Sequence, residues 1–287
     1  MAATRRPLAQ LLSSFTGRGS SYKTHVTAEW MQGRTTYGGC SAALCLEAAR
    51  RLLGERSGSL PLRSAQVTFT GPAGGDVALD ATILRDGKAM CFVRSEASSG
   101  GSVATTATFA FGAPRPSGFD EVDVPARTDL APPERCEDFF AGVVAGRPTF
   151  TQNFEARLAA GGRPFSASAH SDHWLWVRHV GASDDGGVEG VAPAVALLAL
   201  ADMPPPAITA RFGAPAPIAS ATWQVNLLHD APVAGAGGWW LLRTRVEHAR
   251  DGYSSQDMAV WGGGGAQPVL VGRQSVAIFD QKSAAKL

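Results

Sequence analysis

Tyr37-Gly38-Gly39 opens a run of Ala, Leu and Cys that ends at Leu53, and Gly190-Val191-Ala192 opens a second Ala/Leu run that ends at Asp202. After the first run come Val67-Thr68-Phe69-Thr70-Gly71-Pro72 and then Leu84-Arg85-Asp86-Gly87. After the second come Val225-Asn226-Leu227-Leu228-His229-Asp230-Ala231-Pro232 and then Ala249-Arg250-Asp251-Gly252. Each time a small-residue helix precedes alternating strands, a proline follows the first strand, and an Asp-Gly turn comes later. The same signals in the same order, twice, are those of a duplicated helix-plus-sheet unit.

Working outward, Gly38-Gly39 lets the chain turn tightly into a helix over 40–53, whose composition favours burial on most faces. Such a helix needs a sheet around it. The β-branched and aromatic runs 64–70, 76–84, 89–97 and 102–111, separated by Gly-rich turns, supply one. Residues 22–36 read as a strand before the helix, and the apolar patch Leu8 to Leu12 as a short helix packed on the body. The Pro-rich stretch 113–133 has no periodicity and reads as a linker. Repeats are therefore expected at 20–113 and 136–281, joined by 114–135.

In the second copy, 173–178 reads as a strand and 191–202 as the second buried helix, with Pro193 tolerated in its first turn and Pro204-Pro205-Pro206 forbidding continuation. Strands follow at 220–228, 239–249, 253–261 and 268–279. The pattern of 139–157 is less clear. Gly262 to Gly265 reads as a hairpin tip, since neither Lys-Ser/Thr nor a helix follows it as a phosphate loop requires.

The 287 residues, 45% of them hydrophobic, are enough for a full core, and 26 Lys and Arg stand against 25 Asp and Glu. That balance, without a basic block, argues against nucleic acid as a partner. The four cysteines, at 40, 45, 91 and 136, form no CxxC pair and suit a reducing compartment. No stretch approaches the roughly 18 apolar residues that would span a bilayer, so a cytoplasmic protein without membrane insertion is expected. The terminus Ala285-Lys286-Leu287 is similar to a peroxisomal address and gives the alternative location.

The ordered features Tyr37-Gly38-Gly39, Phe69-Thr70-Gly71-Pro72, Arg85-Asp86-Gly87, Ala201-Asp202, Thr222 and Arg273-Gln274 resemble the acyl-CoA thioesterase II family and its thioesterase-like relatives, over roughly residues 20 to 280. The resemblance implies an α+β double hot-dog, two repeats each with a central helix wrapped by an antiparallel sheet. It also implies hydrolysis of acyl-CoA to free fatty acid and CoA, no organic cofactor and no metal, and a homodimer or larger assembly. Carried over from the family, Asp202, Thr222 and Gln274 would hold and activate the attacking water. A carboxylate can take its proton while a hydroxyl and an amide orient it. Ser220 lies two residues from Thr222 in the same strand, so either hydroxyl is a candidate.

Gly38 and Gly39 are the candidate substrate-binding residues, because N–H groups at a helix start carry partial positive charge and glycine permits close approach; a tight strand-to-helix turn is the competing reading. Trp174, Trp176, Trp223, Trp239 and Trp240 are candidates for lining an acyl tunnel or for packing the core. Two departures from the family pattern stand out. Many relatives carry a Gln on the first-repeat strand after its Asp-Gly turn, where this chain reads Ser95-Glu96-Ala97-Ser98-Ser99, and Gln224 stands where thioesterase-like relatives often have Asp. The first departure implies one active site per chain.

Other chemistries fit less well. A Ser-His-Asp hydrolase needs Gly-x-Ser-x-Gly, which is absent. In His170-Ser171-Asp172-His173 the two histidines point to opposite faces of a strand, against a shared metal. A hot-dog dehydratase or hydratase needs a His beside a carboxylate near a central helix, and neither helix offers one. A non-catalytic acyl-CoA-binding double hot-dog is the alternative outside enzymes.

Overall fold

A computed structural model of the protein describes residues 7–141 and 147–279. The Ala285-Lys286-Leu287 terminus lies outside them. The first copy runs α1 (Leu8–Ser13), β1 (Thr16–Arg18), β2 (Ser21–Val26), a small ribbon of β3 (Met31–Gln32) and β4 (Thr35–Thr36), α2 (Gly38–Leu53), α3 (Arg56–Ser59), β5 (Leu62–Phe69), β6 (Gly75–Asp86), β7 (Met90–Ser99) and β8 (Ser102–Gly112). The second runs β9 (Glu137–Asp138), β10 (Phe154–Gly161), β11 (Asp172–His179), α4 (Pro193–Ala201), β12 (Ile218–Leu227), β13 (Trp240–Arg250), β14 (Tyr253–Gly262) and β15 (Gln267–Ile278).

Thirteen strands form one antiparallel sheet in the order β1-β2-β6-β7-β8-β5-β12-β15-β14-β13-β11-β10-β9. The order reads outward from its middle as the same succession twice, β5-β8-β7-β6-β2 on one side and β12-β15-β14-β13-β11 on the other. The two halves meet at β5 and β12, where Val67 pairs with Trp223 and Ala65 with Val225. This is the double hot-dog, a single curled sheet around a pair of helices.

The helices follow from their residues. Nearly every side chain of α4 is apolar and Val195 to Ala201 are all buried, as expected of a helix hydrophobic all round. Pro193 occupies its first turn. α2 buries Gly39 to Leu46 and turns Arg50 and Arg51 outward near its C-terminus, favourable for the helix dipole. Gly54, at φ 58°, ends it and donates its N–H to the carbonyls of Arg50 and Arg51. The two helices lie antiparallel: the start of α2 meets the end of α4, where the Tyr37 hydroxyl donates to the Ala199 carbonyl at 2.9 Å.

Three expectations need adjustment. Residues 22–36 do not form one strand: β2 stops at Val26, and a 3-10 turn, Ala28–Trp30, buries Trp30. The unclear stretch 139–157 contains another 3-10 turn, Thr149–Asn153, and the start of β10. The tryptophans line no common tunnel. Trp223 on β12 and Trp240 on β13 face the helix-side core, while Trp174 and Trp176 on β11, Trp239 just before β13 and Trp261 on β14 pack together on the opposite face of the sheet.

That second cluster is covered by the segment between the repeats. Val124 and Leu130 pack on it, Trp176 Nε1 donates to Ala131 O at 2.9 Å, Trp261 Nε1 to Pro125 O at 3.0 Å, and the Arg127 guanidinium lies 4.1 Å from the centre of a Trp174 ring. The aperiodic, proline-rich stretch is therefore a strap over the outer face of the second copy.

Candidate active site

Asp202 is the first residue beyond α4, at φ −86° and ψ 2°. The proline run after it leads the chain away, and its carboxylate is left against the first turn of α2. The backbone N–H of Gly39 donates to it. Gln274, from the last strand, donates Nε2 to Asp202 Oδ1 at 2.8 Å. Two of the three residues expected to act together are thus in direct contact.

Gln274 faces inward, 3% exposed, directly across the ladder from the buried Trp223. Opposed residues in an antiparallel pair share a face, so the helix side of the sheet carries Trp223, Gln274 and Gln256 in one row. Gln256 is fully buried; its Nε2 donates to Gln274 Oε1 at 2.7 Å, and its Oε1 accepts from the Ala207 N–H at 2.7 Å. Gln256 is absent from the residues singled out in the sequence. The signal was present, since alternation back from Val260 and Met258 along β14 points Gln256 and Ser254 inward.

Thr222 is not brought to this pair. It is exposed and pairs with Ser275 and Thr68 on the face away from the helices. The ladder register shifts between Ser220 and Thr222, and Ser220 lies opposite Val276, which is fully buried. A β-bulge of this kind reverses which alternate residues face inward. Ser220 therefore shares the inner face with Gln274, and Thr222 does not.

Gly38 and Gly39 are the first two residues of α2. A Cβ on Gly38 would lie 2.6 Å from Asp202 Oδ2, and one on Gly39 would lie 2.5 Å from the Tyr37 hydroxyl and 2.7 Å from Ala199 O. The turn admits no side chain at either position. The first helical N–H to find an acceptor within α2 belongs to Ser41, bonded to Tyr37 O at 3.0 Å, so those of Gly38 and Cys40 have none in the helix. Tyr37 itself stacks on Phe150 with ring centres 3.9 Å apart, which fixes the entry into the helix.

Enclosure by protein pushes the Asp202 pKa up to about 7, against the hydrogen bonds from Gln274 and Gly39, which favour the anion. The residue as a whole keeps intermediate exposure. A carboxyl poised near neutrality, held by the Gln274 amide and the Gly39 N–H at the start of α2, is suited to take a proton from water. Nucleophilic cysteine chemistry has no support, because burial raises the thiol pKa of Cys40, Cys45 and Cys91. The His170–His173 segment forms no metal cluster: His173 is buried, with Nδ1 2.5 Å from Gly162 O, and among the described residues no group of three His, Cys, Asp or Glu is disposed to hold an ion. Nor is any described helix long and apolar enough to cross a membrane.

Comparison with known families places residues 26–112 on the model of the acyl-CoA thioesterase N-terminal domain and residues 125–278 on that of the acyl-CoA thioesterase C-terminal domain. Curated proteins gave no match. Among solved structures, a conserved hot-dog protein of unknown function from Alicyclobacillus acidocaldarius is 23% identical, with 95% of this chain and 98% of that one covered, at a TM-score of 0.79. A tesB protein of Mycobacterium avium subs paratuberculosis is 17% identical over 95% and 100% of the two chains, with a TM-score of 0.72. The acyl-CoA thioesterase II TesB2 of Mycobacterium marinum is 15% identical over 96% and 99%, with a TM-score of 0.70. At these identities the structural likeness speaks for the shared fold.

Proposed function

Because the chain belongs to the acyl-CoA thioesterase family, we infer that Asp202 is the general base for hydrolysis of an acyl-CoA thioester, with Gln274 as its partner. The observation that carries the reading is the 2.8 Å hydrogen bond between the two, made beside the start of α2, where the Gly38 and Cys40 N–H groups have no acceptor within the helix. Water donates a proton to Asp202 as its oxygen bonds to the thioester carbon. The carbonyl oxygen, gaining negative charge, is met by the Gly38 and Cys40 N–H groups, favourably placed by the helix dipole. Collapse of the tetrahedral intermediate breaks the C–S bond, and the proton held by Asp202 passes to the departing CoA thiolate. The products are a carboxylic acid and free CoA, with no covalent enzyme intermediate.

The hydroxyl role belongs to Ser220 rather than Thr222, since Ser220 shares the face of Gln274. The first repeat acts as scaffold: it lends the N-terminus of α2 to the base of the second. No cofactor enters these steps.

Thiol release from acyl-CoA substrates of increasing chain length tests the reading. Wild type should turn over at least one of them, and Asp202→Asn should lower kcat by roughly 10²–10⁴-fold while remaining folded. Tight acyl-CoA binding with no thiol release by wild type would instead favour a non-catalytic binding protein.

A further inference from the structure

Gln256 touches neither Asp202 nor the open side of the site, yet it completes an unbroken buried chain. The Ala207 N–H donates to Gln256 Oε1 at 2.7 Å, Gln256 Nε2 to Gln274 Oε1 at 2.7 Å, and Gln274 Nε2 to Asp202 Oδ1 at 2.8 Å. A side-chain amide has a donor end and an acceptor end of nearly the same shape, so nothing in its own bulk selects between two orientations half a turn apart. A backbone N–H has no such freedom, because it can only donate. Ala207 follows Pro204-Pro205-Pro206 and opens the 3-10 turn Ala207–Arg211, so the reference donor sits on restrained backbone. From that donor the directions follow in sequence: the Gln256 carbonyl must face Ala207, its NH2 must face Gln274, and the Gln274 NH2 is left for Asp202.

We propose that Gln256 is a positioning residue for the thioesterase reaction, orienting the Gln274 amide so that it donates to the Asp202 carboxylate instead of presenting its oxygen to it. The proposal rests on Asp202 being the base. Its independent support is the other copy of the fold. Each copy has a bulge in the hairpin strand before this position, between Val246 and His248 in the second and between Ile83 and Arg85 in the first; beside it Gln256 pairs with Val246, and Val93 pairs with Ile83. On the other side Gln256 pairs with Gln274, and Val93 with Phe109. Val93 and Phe109 are both fully buried. The same place in the sheet is thus filled by an apolar pair where no carboxylate needs orienting. At these matched positions one copy holds apolar side chains and the copy beside Asp202 holds two amides.

The test compares steady-state hydrolysis of an acyl-CoA by wild type, Asp202→Asn, Gln256→Met and Gln256→Glu, with pH profiles and thermal melts for each. Losing a hydrogen bond to a charged group predicts a kcat for Gln256→Met lowered roughly ten- to a hundredfold at unchanged KM. The acid limb of its profile should move to higher pH, because the carboxylate has lost an assured donor. In Gln256→Glu the carboxylate draws the Gln274 NH2 toward itself and turns its oxygen to Asp202, so the limb should move further. A folded Gln256→Met with wild-type kcat and pH profile overturns the proposal while Asp202→Asn remains dead. A wild type whose turnover does not depend on Asp202 overturns the assignment of Asp202 as the base, and the relay with it. Neutron diffraction of the unsubstituted protein decides the matter if both Gln256 variants unfold: deuterons of the Gln274 amide on the Asp202 side support the relay, and deuterons on the Gln256 side overturn it.

Discussion

Asp202 and Gln274, 72 residues apart in the chain, are held 2.8 Å from each other by a helix end and the last strand of the sheet. Their contact joins a proton acceptor to a neutral donor that favours its charged form. Since enclosure has brought the acceptor to a pKa of about 7, the fraction ready to accept a proton changes across the neutral range. We expect kcat/KM of the wild type to rise with pH through a midpoint near 7 and to level off above it. Initial rates between pH 5 and 9 check this, and a flat profile would contradict a base of that pKa.

The same shift has a consequence for stability. A carboxyl whose pKa is higher in the folded state than in the unfolded chain makes the folded state the better proton binder between about pH 4 and 7. Stability from this group is therefore full at the acid end and lost as the pH rises through about 7. With allowance for its partial exposure, the stability of Asp202→Asn relative to wild type should improve by about 1–3 kcal/mol between pH 5 and pH 8. Denaturant unfolding of the two proteins at both pH values measures it, and no change in the difference would count against the enclosure argument.

Ser220 and Thr222 separate the inner face of β12 from the outer. Ser220→Ala should lower kcat by about tenfold, the scale of one lost hydrogen bond in the transition state. Thr222→Val should leave it within about twofold, as befits an exposed site away from the reacting groups. The reverse ranking would return the hydroxyl role to Thr222.

Two adjacent glycines should fail in different ways. A methyl group on Gly39 meets the Tyr37 hydroxyl and the Ala199 carbonyl, both fixed by packing. Gly39→Ala should therefore cost about 1–3 kcal/mol of stability as α2 and α4 are forced apart. On Gly38 the methyl meets Asp202 Oδ2 and the Phe69 ring instead. Gly38→Ala should lose turnover out of proportion to its melting temperature, and equal effects in both assays would argue against the site being there.

Duplication was legible because it repeats an order of signals, and no single motif had to carry it. The central helices were legible because each is apolar or small on nearly every face. Asp202 stood out as the polar end of such a helix, and Gln274 as a polar break in an apolar strand, whose direction periodicity alone left open. Thr222 and Ser220 could not be separated in the sequence because a bulge shifts the alternation by one residue, and a bulge leaves no composition of its own. Gln256 was passed over because its inward direction becomes plain only when Met258 and Val260 are known to face the helices. The role of 113–133 escaped because irregular backbone carries no period even when it is firmly packed.

The strap over the outer tryptophans means that the two repeats are not independent cassettes. A fragment starting at Cys136 would keep every strand of the second repeat but shed the partners of Trp176 and Trp261, uncovering an indole-rich surface to water. Nicking the chain near Arg127 should therefore make the protein sticky before it makes it inactive.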